Sequence, residues 1–207
     1  MVIRELKPSQ RVRGRWLVTL EDGSILRVGE GQVIDFALYA GKELTEEEAE
    51  SLLSAAEREQ RGTKALELLS RKPQSRRELE KKLAEWGAEE DETAALCDRM
   101  EQLGYLNDAD YAVRIVRHYS AKGFGEQKLR DELYRRGVPR GLWADALEQA
   151  EDPAAAIDAF VAKKLAGKTP DRQELKKVSD ALARRGYRWP DISDALRRYG
   201  AETGEEY

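Results

Sequence analysis

The residues of this chain best suited to act on a partner are its cations, which fall into three clusters. Arg71, Lys72, Arg76, Arg77, Lys81 and Lys82 form the first. Arg114, Arg117, Lys122, Lys128, Arg130, Arg135 and Arg136 form the second. Lys163, Lys164, Lys168, Arg172, Lys176, Lys177, Arg184, Arg185 and Arg188 form the third. Closely spaced cations attract phosphates because each contact releases a condensed counterion, so such binding falls steeply with salt. The same residues can also be a solvated helix face balanced by acids one turn away, as Glu78 could balance Lys82. For a single residue the solvated face is the default reading. The second cluster surrounds a glycine-flanked link, which favours a partner contact. The residues singled out for a partner or DNA are therefore Arg114, Arg117, Lys122, Lys128, Arg130, Arg135 and Arg136, with Lys81, Lys82, Lys176 and Lys177 from the flanking clusters.

Other chemistry has little support. His118 is the single histidine and Cys97 the single cysteine, so no histidine metal cluster and no intrachain disulfide can form. Cys97 stands between Leu96 and Met100 on an apolar helix face and reads as packed rather than reactive. Carboxylates occur throughout without an isolating context, and no nucleophile–base pair is legible. Lys122-Gly123-Phe124-Gly125 is too short for a phosphate-binding loop and lacks a following Gly-Lys-Ser/Thr. It reads as a helix–helix turn that uses glycine's freedom at positive φ, with Phe124 as a core plug or, alternatively, a platform for a base. Trp86, Trp143 and Trp189 recur at equivalent inter-helix points and read as core residues. The expectation is a protein that is not an enzyme, with no catalytic residue, cofactor or metal.

The elements that must position these cations repeat. Leu79-xxx-Leu83-xxx-Gly87, Leu129-xxx-Leu133-xxx-Gly137 and Val178-xxx-Leu182-xxx-Gly186 each put an apolar pair one turn apart, followed by a glycine suited to a helix C-terminus. Gly87 and Gly137 are 50 residues apart, and Gly137 and Gly186 are 49 apart. After each glycine the same offsets are apolar again: Leu96 and Cys97, Ala146 and Leu147, Ala195 and Leu196. Repeats of this length predict a stacked array, which presents surfaces to long partners rather than a reaction cleft. The expected fold is mainly α: three tandem three-helix, helix-turn-helix-like repeats in an elongated array, preceded by a small N-terminal β-hairpin and helices.

The spacing predicts residues 1–62 as hairpin plus helices, repeats over 63–107, 108–150 and 151–200, and a flexible tail over 201–207. Residues 11–20 and 25–28 read as strands around the turn Glu21-Asp22-Gly23-Ser24. A helix over 31–40 would turn Val33, Ile34, Ala37 and Leu38 inward. Thr45-Glu46-Glu47-Glu48 is a capping box opening a helix that Gly62 should break or kink. Ser75-Arg76-Arg77-Glu78 is a second capping box. Thr93, Leu96, Met100 and Leu103 should share the inner side of a helix over 90–103. Asn107 or Asp108, Asp152 before Pro153, and Asp171 supply further helix starts.

The 207 residues are 41% hydrophobic, 37% charged and only 7% aromatic, which predicts an extended body with thin cores. The net charge of −4 lies in residues 1–60, which carry 8 Lys/Arg and 12 Asp/Glu; the remainder has 28 of each sign. A neutral array leaves room for a protein partner as well as DNA. The lone cysteine, the polar N-terminus and the lack of any apolar run near the ~20 residues of a membrane span predict a soluble, cytoplasmic protein without membrane contact. Nothing in the sequence points to a symmetric pair, so a monomer is expected.

The run Gly104-Tyr105-Leu106-Asn107-Asp108-Ala109-Asp110-Tyr111-Ala112, followed by Lys122-Gly123-Phe124-Gly125, Leu129-Arg130-Asp131-Glu132-Leu133 and Arg136-Gly137-Val138, resembles the signature core of the RecX family. The first and third units are similar to that family's flanking three-helix repeats, so the resemblance covers roughly residues 63–199. His118-Tyr119 departs from it, since many members carry an arginine nearby. The resemblance implies a non-enzymatic regulator. Such a protein binds RecA–DNA filaments along their groove and lowers the recombinase's ATPase and strand-exchange activities; the charge clusters add single-stranded DNA, reached through its phosphates, as an optional second partner. Two rival readings are a helix-turn-helix regulator that binds duplex sites and a helical protein–protein adaptor without DNA contact.

Overall fold

The computed structural model describes residues 1–166 and 171–203; Lys168 and residues 204–207, part of the expected tail, lie outside the described residues. The chain separates into two compact units. One comprises Met1–Pro73 with Leu79–Tyr105, and the other Gln74–Glu78 with everything from Leu106 onward. No helix among the described residues is long and apolar enough to cross a membrane.

In the first unit, β1 (Ile3–Pro8), β2 (Arg15–Leu20) and β3 (Ile25–Gly29) form an antiparallel sheet in the order β1-β2-β3. The expected hairpin is β2–β3, with Leu17 opposite Arg27 and Val18 opposite Leu26. β1 is an addition to that reading. It buries only Ile3, and its register with β2 shifts between Ile3 and Glu5, so its sequence lacks the alternation that marks a strand. Ile3, Val18, Leu20 and Val28 meet Ala49, Leu52 and Ala56, which follow the Thr45 cap, in one core.

The helix expected over 31–40 is only α1 (Glu30–Asp35). Ala37 adopts φ 43° and the Leu38 N–H bonds back to the Val33 carbonyl at 2.9 Å, so the chain turns out of the helix. Leu38 is buried as expected, whereas Ile34 is 72% exposed.

Gly62 does not break α2, which runs without interruption over Glu46–Arg71. A mid-helix glycine costs about 1 kcal/mol relative to alanine, and local anchors offset that. Arg61 forks onto Glu92 of α4 (Glu90–Gln102) at 2.7 and 2.8 Å, and the Lys64 ammonium lies 5.8 Å from the Trp86 ring. α3 (Arg76–Glu85) buries Leu79 and Leu83, and α4 buries Cys97 and Met100. Leu103 lies beyond α4 and is 47% exposed, outside the stripe predicted for it.

The second unit holds two three-helix sets. α5 (Asp108–Ser120), α6 (Glu126–Arg135) and the short α7 (Trp143–Leu147) surround Ile115, Val116, Leu129, Leu133 and Ala146. α8 (Pro153–Leu165), α9 (Arg172–Arg184) and α10 (Trp189–Thr203) surround Ile157, Val161, Leu182, Ile192 and Ala195. The caps are those the sequence marks: the side chains of Asn107, Asp152 and Asp171 accept from the backbone N–H groups of Asp110, Ala154 and Glu174. Trp143 is half-buried and its indole N–H donates to the Val138 carbonyl at 2.9 Å. Trp189 departs from the core reading: it is the first residue of α10 and is 65% exposed.

Because α2 is continuous at Gly62, a methyl group there meets only the Leu96 side chain at an ordinary 3.5 Å. Gly62→Ala should therefore stabilise the protein by about 0.5–1 kcal/mol, read as a higher urea midpoint at unchanged m-value. A lower midpoint would mean that Gly62 is a functional break in the helix.

Candidate partner-binding surface

Within the second unit, glycine-terminated helices make close backbone contacts. Gly186 (φ 86°) ends α9 and packs on the first turn of α6. The Gly125 N–H donates to the Arg185 carbonyl at 2.9 Å, and the Gln127 N–H donates to the Gly186 carbonyl at 3.1 Å. A Cβ on Gly186 would lie 2.5 Å from the Lys128 backbone nitrogen, and one on Gly125 would lie 2.5 Å from the Tyr187 nitrogen. Gly125 is therefore required by close approach, while Gly123 (φ 74°) supplies the turn. The counterpart contact is made by Ser75, four residues before Leu79 as Gly125 is before Leu129. Its hydroxyl donates to the Arg136 carbonyl at 2.5 Å, beside Gly137 (φ 70°).

These contacts set the frame on which the cations sit, and the structure divides the second cluster in two. The cations of α6 and its C-cap are engaged by acids. Arg130 pairs with Glu126 at 2.6 Å, Lys128 with Glu132 at 3.6 Å and Arg135 with Glu132 at 2.5 Å. Arg136, partly buried, lies 3.8 Å from Glu132 and 3.7 Å from Glu78, and donates to the Tyr111 hydroxyl at 2.7 Å. Its Nε is buried without a hydrogen-bond partner. Glu132, the centre of this network, is 4% exposed. Burial alone would raise its pKa; hydrogen bonds from Arg135 and Tyr119 and the charges of Arg135 and Lys128 bring it net below the ordinary glutamate value. Burial, followed by the charge of Glu78, pushes the Tyr111 hydroxyl up to about 12, so it stays protonated.

The cations of α5 and the link after it are different. Arg114, Arg117 and Lys122 are exposed, and no carboxylate pairs with any of them among the described residues. Arg117 donates to the neutral Gln149 side chain at 2.9 Å, and the Lys122 ammonium lies 5.8 Å from the Tyr119 ring. Positions 114 and 117 are one turn apart on the helix, so Arg114, Arg117, His118 and Lys122 make one exposed stripe. In the third set, Lys176 and Lys177 are exposed on α9. In the first unit Lys81 is exposed and Lys82 pairs with Glu85 at 2.6 Å.

Phe124 is not free to receive a base. The Arg185 guanidinium lies 5.8 Å from its ring and 4.7 Å from that of Phe160, and also donates to the Gly123 carbonyl at 3.2 Å. Sequence reasoning did not find these roles for Arg185, Glu132 and Ser75. One signal was available for Glu132, an acid three and four residues before two adjacent arginines. Among the described residues no group of three His, Cys, Asp or Glu side chains could hold a metal ion.

Two substitutions test this frame. Gly186→Ala should destabilise the protein by about 1–3 kcal/mol, since it imposes both a strained φ and a backbone clash; an unchanged urea midpoint would refute the close contact. Glu132→Gln should cost about 1–3 kcal/mol at neutral pH, because it removes the buried carboxylate that Lys128, Arg135 and the partly buried Arg136 share. The native pKa of Glu132 is depressed, so its contribution is present above the unfolded glutamate pKa and is lost as pH falls through the native value. The gap between wild type and Glu132→Gln in a denaturation series should therefore close below the ordinary glutamate pKa.

Comparison with known proteins bears on these surfaces. The profile of the second three-helix domain of RecX matches residues 107–147, and that of the first three-helix domain of RecX matches residues 63–100. The regulatory protein RecX of Pseudomonas entomophila (strain L48) is 34% identical over 125 residues, 59% of this chain and 81% of that protein. The regulatory protein RecX of Ectopseudomonas mendocina (strain ymp) is 34% identical over 140 residues, 64% of this chain and 90% of that protein. A crystal structure of regulatory protein RecX is similar with a TM-score of 0.71 at 23% identity, covering 93% of this chain and 98% of that one.

Proposed function

Because this chain belongs to the RecX family of regulatory proteins, we propose that it binds filaments of a RecA-type recombinase on single-stranded DNA and lowers their ATP hydrolysis and strand exchange. Its action is stoichiometric contact rather than catalysis. The exposed stripe Arg114, Arg117 and Lys122 is the face that meets the filament, with DNA phosphates within its reach.

The observation that carries this choice is the division of the second cluster. Lys128, Arg130, Arg135 and Arg136 already have carboxylate partners, whereas Arg114, Arg117 and Lys122 have none among the described residues. An unpaired exposed cation keeps its full attraction for an incoming phosphate or carboxylate. A paired one must first give up its acid, and for Arg135 and Arg136 that acid is buried. Lys176 and Lys177 on α9 are a secondary candidate surface, exposed in the same way.

The test measures single-strand-stimulated ATP hydrolysis by the recombinase at rising concentrations of this protein. Wild type should inhibit at stoichiometric amounts. Arg114→Glu/Arg117→Glu/Lys122→Glu should weaken inhibition at least about tenfold, and each lost phosphate contact should reduce the salt slope of binding by about 0.7. Unchanged hydrolysis at an excess of wild type would remove the proposed function. Full inhibition by the triple variant would remove the α5 face.

A further inference from the structure

The 49-residue period carries the second three-helix set onto the third: Leu129 onto Val178, Leu133 onto Leu182, Gly137 onto Gly186, Leu147 onto Leu196. It also relates two surfaces. In the second set, Glu126, Arg130, Ala144, Leu147 and Glu148 line one wall of a cleft whose other wall includes Pro153, Ala156, Tyr187 and Arg188 of the third set. The third set is fastened there by the Arg188–Glu126 ion pair and by the Gly125–Arg185 backbone bond. The equivalent residues of the third set are Leu175, Ser179, Ser193, Leu196 and Arg197, and all five line a groove of about 500 Å³ between α9 and α10. No other element among the described residues lines that groove.

A repeat face that no neighbour covers is ordinarily polar. This one is apolar at its middle, where Leu175 and Leu196 meet, and carries the exposed indole of Trp189. Exposed tryptophan beside an apolar groove is the kind of residue that dominates binding energy at protein interfaces. The surface therefore repeats, in the third set, the position at which the second set is covered by its neighbour.

Charge decides what covers it. The second set offers Glu126 and Glu148 to the basic Arg188. In the third set the period replaces Glu126 with Leu175 and Glu148 with Arg197, and Arg172 and Lys176 add two further cations. Arg197 already bonds Asp194, whereas Arg172 and Lys176 are exposed and unpaired among the described residues. In a second copy of this chain the corresponding link, with Arg188, is already fastened to that copy's own second set through Glu126, so it is not available to cover this groove. Asp180 lies eight residues of helix, about 12 Å, from Arg172, so Arg172 and Lys176 form one short cationic patch at one end of the groove and not the continuous track that a phosphate backbone follows. A nucleic acid strand therefore fits poorly.

We infer that the α9–α10 groove docks an acidic amphipathic helix of a partner protein, on the face equivalent to the one by which the second set seats the third. Its apolar side chains pack between Leu175, Leu196 and Trp189, and its carboxylates meet Arg172 and Lys176. Assigning that helix to the recombinase rests on the reading above; the groove's preference for an acidic helix does not.

Two arms separate these statements. In the first, the full chain is titrated into a labelled synthetic helix with leucines on one face and glutamates on its flanks, and into the same peptide with lysines for glutamates. The acidic peptide should bind at least about tenfold more tightly than the basic one, and Trp189→Ala or Arg172→Glu/Lys176→Glu should each lose at least about tenfold. No binding, equal binding of both peptides, displacement by oligothymidylate, or unchanged binding by Trp189→Ala would overturn the groove's assignment. Far-UV circular dichroism confirms that the variants, altered only at exposed side chains, remain folded. In the second arm the same variants are tested on recombinase filaments and on bare single strands. Loss on filaments with bare-strand affinity kept identifies the recombinase as the partner, and retained filament affinity overturns that identity. If wild type itself ignores filaments, the filament reading fails while the peptide arm still decides the groove.

Discussion

The second unit depends on a backbone approach that only a missing side chain permits. Gly186 lies so close to the first turn of α6 that a Cβ would stand 2.5 Å from the Lys128 nitrogen, and two backbone hydrogen bonds are made across the contact. Hydrogen bonds between backbones are directional, so they fix one angle between the three-helix sets where side-chain packing alone would tolerate several. The contact makes the glycine at the end of α9 a structural joint as well as a helix stop. It also explains why the Lys122–Gly125 link holds two glycines with different tasks, one turning the chain and the other clearing space for a neighbour.

On that frame, electrostatics divides residues of the same type into two kinds. Glu132 is buried and engages Lys128, Arg135 and Arg136, so those cations hold the end of α6 together. A buried carboxylate stripped of its partners is costly, on the order of 3–5 kcal/mol, which a single surface contact with a partner does not repay. The Arg130–Glu126 pair is more exposed, and pairs of that sort contribute about 0–1 kcal/mol, so Arg130 remains exchangeable. Arg114, Arg117 and Lys122 need no exchange at all.

The repeat was legible because its signal is local. An apolar pair at i and i+4, a polar cap and a terminal glycine each follow from the geometry of one helix, and the positive φ of Gly87, Gly137 and Gly186 matches the stop read from spacing. The same logic misplaced what depends on neighbours. Gly62 reads as a breaker, yet Arg61 and Lys64 anchor α2 through it. β1 was missed because a strand that buries one residue leaves no alternation. Trp189 was read as core by analogy with Trp143, but Trp143 follows a 3₁₀ turn and bonds its indole N–H to Val138, whereas Trp189 opens α10 directly and projects outward. The cations were found as a group; which of them are neutralised depends on contacts that sequence spacing only partly encodes.

One backbone pattern can thus carry surfaces of opposite character. Residues 49 apart occupy equivalent places, yet Glu126 and Glu148 make the outer face of the second set acidic, while Leu175 and Arg197 make that of the third apolar and basic. Helix ends, the joint glycines and the apolar character of core positions are held by packing, so differences of charge between the sets collect on the outer faces, where a substitution alters charge without disturbing the core. The acidic face is matched to the Arg188 that follows it in the same chain and closes the interface internally. The third set lacks the two carboxylates at the equivalent places, so its face is not matched to a basic link of that kind and leaves apolar surface exposed. A face that keeps an exposed tryptophan beside two apolar residues and a pair of exposed cations has the composition of an interface rather than that of a solvent cap.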